Sequence, residues 1–272
     1  MIDLTPILFA GLIAAPPIVF ASLGQIFCEK TGEFNIGMEG IMLVSATTTY
    51  IVALLTKSLL LSVVTGPLVG AVFGIILAFL QIKLRCDQII LGLGVILLGI
   101  GLDPYLVGFL PEGMVGRPVP TLPPARIPFL SDLAWAEFIF GQNVVVYLSI
   151  LAIPCSWIVL NKTFLGLKLA ATGENPKGSD VVGIKVFKNK FIGLLVSCML
   201  GGVAGGYFIY GIAGSWIVGI TGGVGFLSLA TGIRCLSGAI VFLHRFFSGF
   251  SMLDSLFLGR YLRSSLWPKH IF

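Results

Sequence analysis

The sequence predicts an all-α fold, a polytopic transmembrane helical bundle with about seven to eight spans or half-spans and a proline-rich external loop. Of the 272 residues, 57% are hydrophobic and only 11% are charged, and the mean hydropathy is +1.04. Soluble domains carry about 25% charged residues. No hydrophilic stretch is long enough to fold separately, which excludes a fused ATPase, kinase or nucleic-acid-binding domain. We therefore treat residues 1–272 as a single transmembrane domain.

The spans are predicted from runs with little or no charge, because a bilayer core of about 30 Å takes about 20 apolar residues in a helix. The first five are Leu4–Cys28, Gly40–Thr56, Ser58–Ile82, Gln88–Leu110 and Phe138–Asn161. The uncharged run Phe191–Ile233 is long enough for a sixth span and a re-entrant or half-length element. We expect the break between these two elements near Gly211 to Gly225.

Glycine spacing predicts where helices pack closely. Gly-xxx-Gly motifs begin at Gly70, Gly202 and Gly219. Small residues at this spacing let two helix backbones approach each other. We expect packing contacts at all three places.

The distribution of basic residues predicts the orientation in the membrane. Segment 162–190 carries six lysines against Glu174 and Asp180, so we expect it on the cytoplasmic side. Counting spans from there places loop 111–137, which holds six of the fourteen prolines, on the external side. The tail 231–272 is atypical, because its basic residues flank an apolar piece too short for a span.

Few residues could support catalysis, metal binding or ion coupling. The two histidines, His244 and His270, both lie in the tail, and the five cysteines have no metal-binding spacing. We therefore expect no catalytic residue, no metal site and no enzyme activity. Asp103 lies before Pro104 near a predicted helix end, where we expect a solvated carboxylate. Energy for active transport would then have to come from a partner.

The first polar segment that stands out is Gly32–Gly40, between the first two spans. Its glycines permit tight turns. Two interpretations of Asn35 and Glu39 stay open. Their side chains could cap the start of the next helix, or they could line the mouth of a pore.

The second polar segment is Gly166–Lys185. Gly173 to Pro176 predicts a turn that leads into a short helix ending at Gly183. A short helix of small residues on the cytoplasmic face suits docking into a groove of another protein. The alternative is a basic connector lying against anionic lipid.

These segments resemble the permease subunits of bacterial ATP-binding-cassette importers, and most closely the nucleoside and simple-sugar (ribose-type) branch. The likeness covers about residues 20–230, and from about Thr231 the chain departs from the pattern of two further apolar spans. The matching stretches are EKTGEFNIGMEGIM at Glu29–Met42, TGENPKGSDVVGIK at Thr172–Lys185 and GGVGFLSLA at Gly222–Ala230.

The resemblance implies a non-enzymatic permease subunit of a bacterial cytoplasmic membrane, which translocates nucleosides or simple sugars such as ribose. It implies a separate ATPase subunit that hydrolyses ATP, a second permease subunit (identical or different) and an extracytoplasmic substrate-binding protein. No cofactor of its own and no nucleic acid are implied. Two alternatives stay open: a self-sufficient secondary carrier or channel, and an inactive truncated permease.

The same resemblance assigns roles to residues by motif. Three groups are implied: a substrate pathway near the inner gate, a coupling helix seated on the ATPase, and the start of an outer half-helix. In that order they are Asn35, Gly37, Glu39 and Gly40; Gly173, Glu174, Asn175, Pro176, Lys177 and Gly183; and Gly223, Gly225 and Phe226.

Overall fold

A computed structural model describes residues 5–111, 113–124 and 141–235 of the chain. Within these residues nine helices form, and no strand is present apart from an isolated bridge between Pro124 and Asn143. The helices are α1 Thr5–Glu29, α2 Met38–Thr56, α3 Leu59–Ala78, α4 Gln88–Val107, α5 Val144–Lys162, α6 Phe164–Glu174, α7 Pro176–Val181, α8 Val186–Tyr207 and α9 Val224–Cys235. A π-helical turn extends α3 over Phe79–Lys83, and another extends α8 over Phe208–Ala213.

Six of these helices are long and apolar enough to cross a membrane: α1 to α5 and α8. They follow the predicted runs, with differences of a few residues at the ends. The uncharged run Phe191–Ile233 divides as expected, because the π-helical extension of α8 ends at Ala213 and α9 begins at Val224. The count of seven to eight spans is not confirmed. Residues 125–140 and the tail beyond 235 lie outside the described part.

Glycines set the closest helix contacts, as two of the three motifs predicted. A Cβ atom at Gly70 of α3 would overlap the carbonyl oxygen of Cys198 on α8, and one at Gly202 would overlap the carbonyl oxygen of Gly66. The packing contact predicted from the third motif is wrong. Gly219 and Gly223 lie outside any helix with φ of +68° and +88°, because the chain turns back there instead of continuing α8.

The helices α2 and α4 are packed equally closely. A Cβ atom at Gly40 would overlap the backbone of Val95, and one at Gly99 would lie 2.5 Å from the Cα of Gly40. The N-terminal half of α2 is buried almost without interruption. By contrast, α3, α4 and α5 turn many apolar side chains outward, including Leu60 and Leu97. α2 is therefore the centre of the bundle, and its neighbours provide the apolar exterior.

Candidate functional site

The loop between α1 and α2 is held by neighbours that lie far away in sequence. Gly32 has φ of +80° and packs directly on Gly173 at the end of α6. The Glu33 carboxylate is 4% exposed and lies 2.6 Å from the Lys190 ammonium on α8. Its other oxygen accepts a hydrogen bond from the Gln88 amide at the start of α4. The loop thus touches three elements that enclose it.

Asn35 is fully buried and points toward α8. Its Nδ2 donates to Ser197 Oγ at 3.1 Å and to Cys198 Sγ at 3.4 Å, while its Oδ1 has no hydrogen-bond partner among the described residues. It does not cap α2, whose N-cap is Gly37 without a side-chain hydrogen bond. At 1.5 Å per residue, Ser197 lies about 16 Å along α8 from Val186. Asn35 is therefore deep inside the bundle.

Glu39 lies in the first turn of α2, but its carboxylate serves another helix. The side chain is 5% exposed and accepts hydrogen bonds from Thr221 Oγ1 at 2.5 Å, Gly223 N at 3.0 Å and Gly225 N at 2.6 Å. These donors surround the start of α9, where free N–H groups and the helix dipole favour a negative charge. Glu39 is thus a helix cap, although for α9 and not for α2.

Two of the residue groups inferred from sequence are brought together by this contact. The family resemblance implied that Glu39 lies near an inner gate and that Gly223 and Gly225 begin an outer half-helix. The structure places them in one cluster, because the non-helical segment 214–223 returns along α2. Of the remaining members, Gly40 packs on α4, and Phe226 on α9 is 48% exposed.

Asp103 is buried, which contradicts the expectation from the sequence. We expected a solvated carboxylate at a helix end, but the side chain is 2% exposed and lies inside α4, which continues to Val107. It accepts hydrogen bonds from Thr47 Oγ1 at 2.5 Å, Trp216 Nε1 at 2.8 Å and Gly219 N at 2.9 Å. The segment that follows α8 folds over Asp103 and excludes water, which the local sequence could not indicate.

The predicted turn and short helix of the second polar segment are confirmed. Asn175 Oδ1 accepts a hydrogen bond from Gly178 N at 2.9 Å, and Pro176 occupies the first turn of α7. The helix ends at Val181, and Gly183 follows with φ of +82°, the left-handed conformation that ends many helices. Ser179 Oγ donates to the Ala171 carbonyl at 2.8 Å and holds α7 against α6.

This helical turn presents an exposed surface and has a buried attachment. Glu174, Asn175, Pro176 and Lys177 are exposed, and Val181 and Val182 are 90% and 78% exposed. On the side that faces the rest of the chain, a Cβ atom at Gly173 would lie 2.5 Å from the Lys30 carbonyl oxygen. A displacement of this segment would therefore press on the loop before α2.

Several residues of these clusters carried no motif in the sequence. They share a polar group in a chain otherwise dominated by apolar residues, which is the one signal that could have found them. They are Thr47, Gln88, Lys190, Trp216 and Thr221. No three His, Cys, Asp or Glu side chains converge to form a metal site in the described ranges.

The chain is similar to known proteins over most of its length. The family model described as "Branched-chain amino acid transport system / permease component" matches residues 7–252. The nucleoside ABC transporter permease protein NupC of Lactococcus lactis is 33% identical over 80% of this chain and 72% of its own length. The guanosine ABC transporter permease protein NupQ of Bacillus subtilis is 33% identical over 81% of this chain and 72% of its own.

A third relative carries a different substrate in its name. It is a protein of Haloferax volcanii, provisionally named as a glucose ABC transporter permease, and it is 31% identical over 87% of this chain and 74% of its own length. No solved structure matches the chain significantly.

Proposed function

The chain belongs to this family of transport-system permease components, and from that premise we propose that it moves nucleosides across a bacterial cytoplasmic membrane as a subunit of an ATP-binding-cassette importer. The observation that carries the nucleoside assignment is the 33% identity to two permeases named for nucleoside and guanosine. Simple sugars are the second candidate, because a third relative at 31% identity is named for glucose.

The site geometry supports separate roles for this chain and for an ATPase subunit within the proposed complex. The exposed surface of α7 and of the residue after it, with Lys177 and the apolar Val181 and Val182, is suited to contact a separate ATPase subunit on the cytoplasmic side. Its movement would reach α2 through Gly173, which packs on the backbone of residues 30–32. The chain itself then needs no ATP site and no cofactor.

The substrate path in this proposal runs along the buried polar side of α2. Asn35, Gly37, Glu39 and Gly40 lie at its beginning, and the start of α9 meets Glu39 through Gly223 and Gly225. Phe226 belongs to the same outer half-helix in this proposal. The free Oδ1 of the buried Asn35 is a hydrogen-bond acceptor of the kind that a nucleoside hydroxyl or amide could use. A second permease subunit would form the other wall, and an extracytoplasmic binding protein would deliver the substrate.

Two measurements test this proposal. Tagged chain is isolated from its native membranes, and its companions are identified by mass spectrometry. Uptake of radiolabelled guanosine and glucose is then compared in cells with and without the chain. We expect an ATPase, a second permease and a binding protein to copurify, and guanosine uptake to require the chain.

The alternatives predict different results. Uptake that persists without any ATPase and follows a proton or sodium gradient would favour a secondary carrier. An assembled complex that moves no substrate would favour an inactive permease. Chain-dependent uptake of glucose without guanosine would replace the nucleoside by a sugar.

A further inference from the structure

The segment 214–223, between α8 and α9, has little structure of its own. Four of its glycines have left-handed backbone conformations, with φ between +56° and +88°. The internal hydrogen bond Gly222 N to Gly219 O, at 3.0 Å, closes one turn. A stretch of this kind keeps one conformation only if other parts of the molecule hold it.

One holding contact comes from α4. The Asp103 carboxylate accepts from the Trp216 indole N–H at 2.8 Å through Oδ1 and from Gly219 N at 2.9 Å through Oδ2. It thereby holds one side chain and one backbone amide of the segment. The carboxylate is 2% exposed, so water does not compete for these donors.

The other contact comes from α2. Glu39 accepts from Thr221 Oγ1 and from the backbone N–H groups of Gly223 and Gly225. Between them, the two carboxylates receive five hydrogen bonds from residues 216–225. No side chain of α8, the helix that leads into this segment, makes a comparable bond in the described part of the chain.

The two carboxylates belong to one packed unit. Gly40 of α2 and Gly99 of α4 bring the two backbones into direct contact. Thr47 of α2 donates to Asp103 at 2.5 Å and ties the same helices together nearer the segment. The α2–α4 pair therefore carries both groups that hold residues 216–225.

Burying a carboxylate at these positions costs free energy, which the hydrogen bonds that it accepts must offset. Ionisable groups in apolar spans are expensive to bury. An ionised carboxylate, however, accepts through two oxygens with about four lone-pair sites and donates nothing. An amide would turn an N–H group toward one of the donors. The three donors at each site thus require an acid.

We propose that Asp103 and Glu39 are positioning residues for substrate passage. They fix segment 214–223 and the start of α9 to the α2–α4 pair, so that this wall of the path follows α2 and α4 when the helices move. The inference rests on the proposed function for the existence of a path, but the attachment itself is a property of the chain.

The test uses the full chain in lipid nanodiscs and hydrogen–deuterium exchange read by mass spectrometry. In Asp103→Ala, exchange of peptide 214–223 should rise about tenfold, because amide protection falls when its acceptor is lost. Asp103→Asn keeps Oδ1 for Trp216 and Thr47, so the rise should be smaller and confined to the Gly219 amide. Glu39→Gln should raise exchange at Gly223 and Gly225.

A matched control is available on the same helix. Asp87 is an exposed carboxylate that accepts from two backbone N–H groups at the start of α4. Asp87→Asn should leave peptide 214–223 as in the wild type. As a second variant, Trp216→Phe keeps an aromatic side chain and removes the indole N–H donor, and its effect should not add to that of Asp103→Ala.

Uptake by cells that contain the natural partners gives the functional readout. The maximal rate should fall about tenfold in Asp103→Ala and be only partly restored in Asp103→Asn, which keeps an acceptor for Trp216 and Thr47 but not for the Gly219 amide. Wild-type exchange in Asp103→Ala, or a rise spread equally over α1 and α5, would overturn the proposal, and so would unchanged uptake. If exchange rises as expected and the wild type moves no nucleoside or sugar, the attachment stands and the transport assignment fails.

Discussion

The Lys190 ammonium lies 2.6 Å from Glu33 Oε1, and this ion pair connects the N-terminal part of α8 to the loop before α2. It is the one salt bridge among the residues that the structure describes. Glu33 also accepts from Gln88, so the pair reaches α4. Removing one partner of a buried pair leaves an uncompensated charge, which costs more than the pair itself contributes.

The first prediction concerns this pair. Lys190→Met should lower the free energy of unfolding by about 2–4 kcal/mol, somewhat below the range for fully buried pairs because Lys190 is 20% exposed. Thermal unfolding of the purified chain in detergent measures it. The exposed Lys188 is the matched control, and Lys188→Met should have little effect. The exchange Glu33→Lys with Lys190→Glu should recover part of the loss. Equal stability of the two methionine variants would contradict the assigned contact.

The second prediction concerns glycine packing between α3 and α8. Gly202→Ala should lower the unfolding temperature, because its Cβ would overlap the Gly66 carbonyl oxygen and force two backbones apart. The cost expected for such overpacking is about 1–3 kcal/mol. Gly94→Ala on α4 is the control, since no atom outside its own helix lies within 4 Å of the added Cβ. That variant should be neutral or stabilising by up to about 1 kcal/mol.

The third prediction tests the coupling role of the turn before α7. Replacing Gly173–Lys177 by a flexible Gly/Ser segment should abolish uptake while leaving membrane insertion intact. A milder variant, Asn175→Ala, removes the cap of α7 and should cost about 1 kcal/mol of local stability. Copurification of the ATPase and substrate uptake are measured together. Full uptake by the Gly/Ser variant would show that this segment does not couple the subunits.

The fourth prediction tests the orientation. In a background with all cysteines replaced, Arg117→Cys should react with an impermeant thiol reagent in whole cells, and Lys177→Cys should react only after the membrane is opened. Both positions are exposed in the structure, so burial cannot explain a difference between them. The reverse pattern would overturn the topology that the lysine distribution predicts.

The sequence alone determined the features that depend on a short stretch of chain. Apolar length decided the six spanning helices, because a run that buries its side chains in lipid needs no particular neighbour. The short helix α7 followed from Asn175 and Pro176, which cap and start it locally. The family resemblance also rests on short stretches of chain, such as Glu29–Met42 and Thr172–Lys185.

Only the tertiary structure decided what the buried acids do. Asp103 meets the Trp216 indole across 113 positions of sequence, and Glu39 meets the Gly225 amide across 186. A carboxylate in an apolar run gives no local sign of its partners, because the donors come from a returning segment whose glycines follow no helical period. Whether an acid is solvated or buried is a property of the packed bundle, so the sequence-based expectation that Asp103 is solvated was wrong. For the same reason the sequence did not show that Glu39 caps α9 and not its own helix.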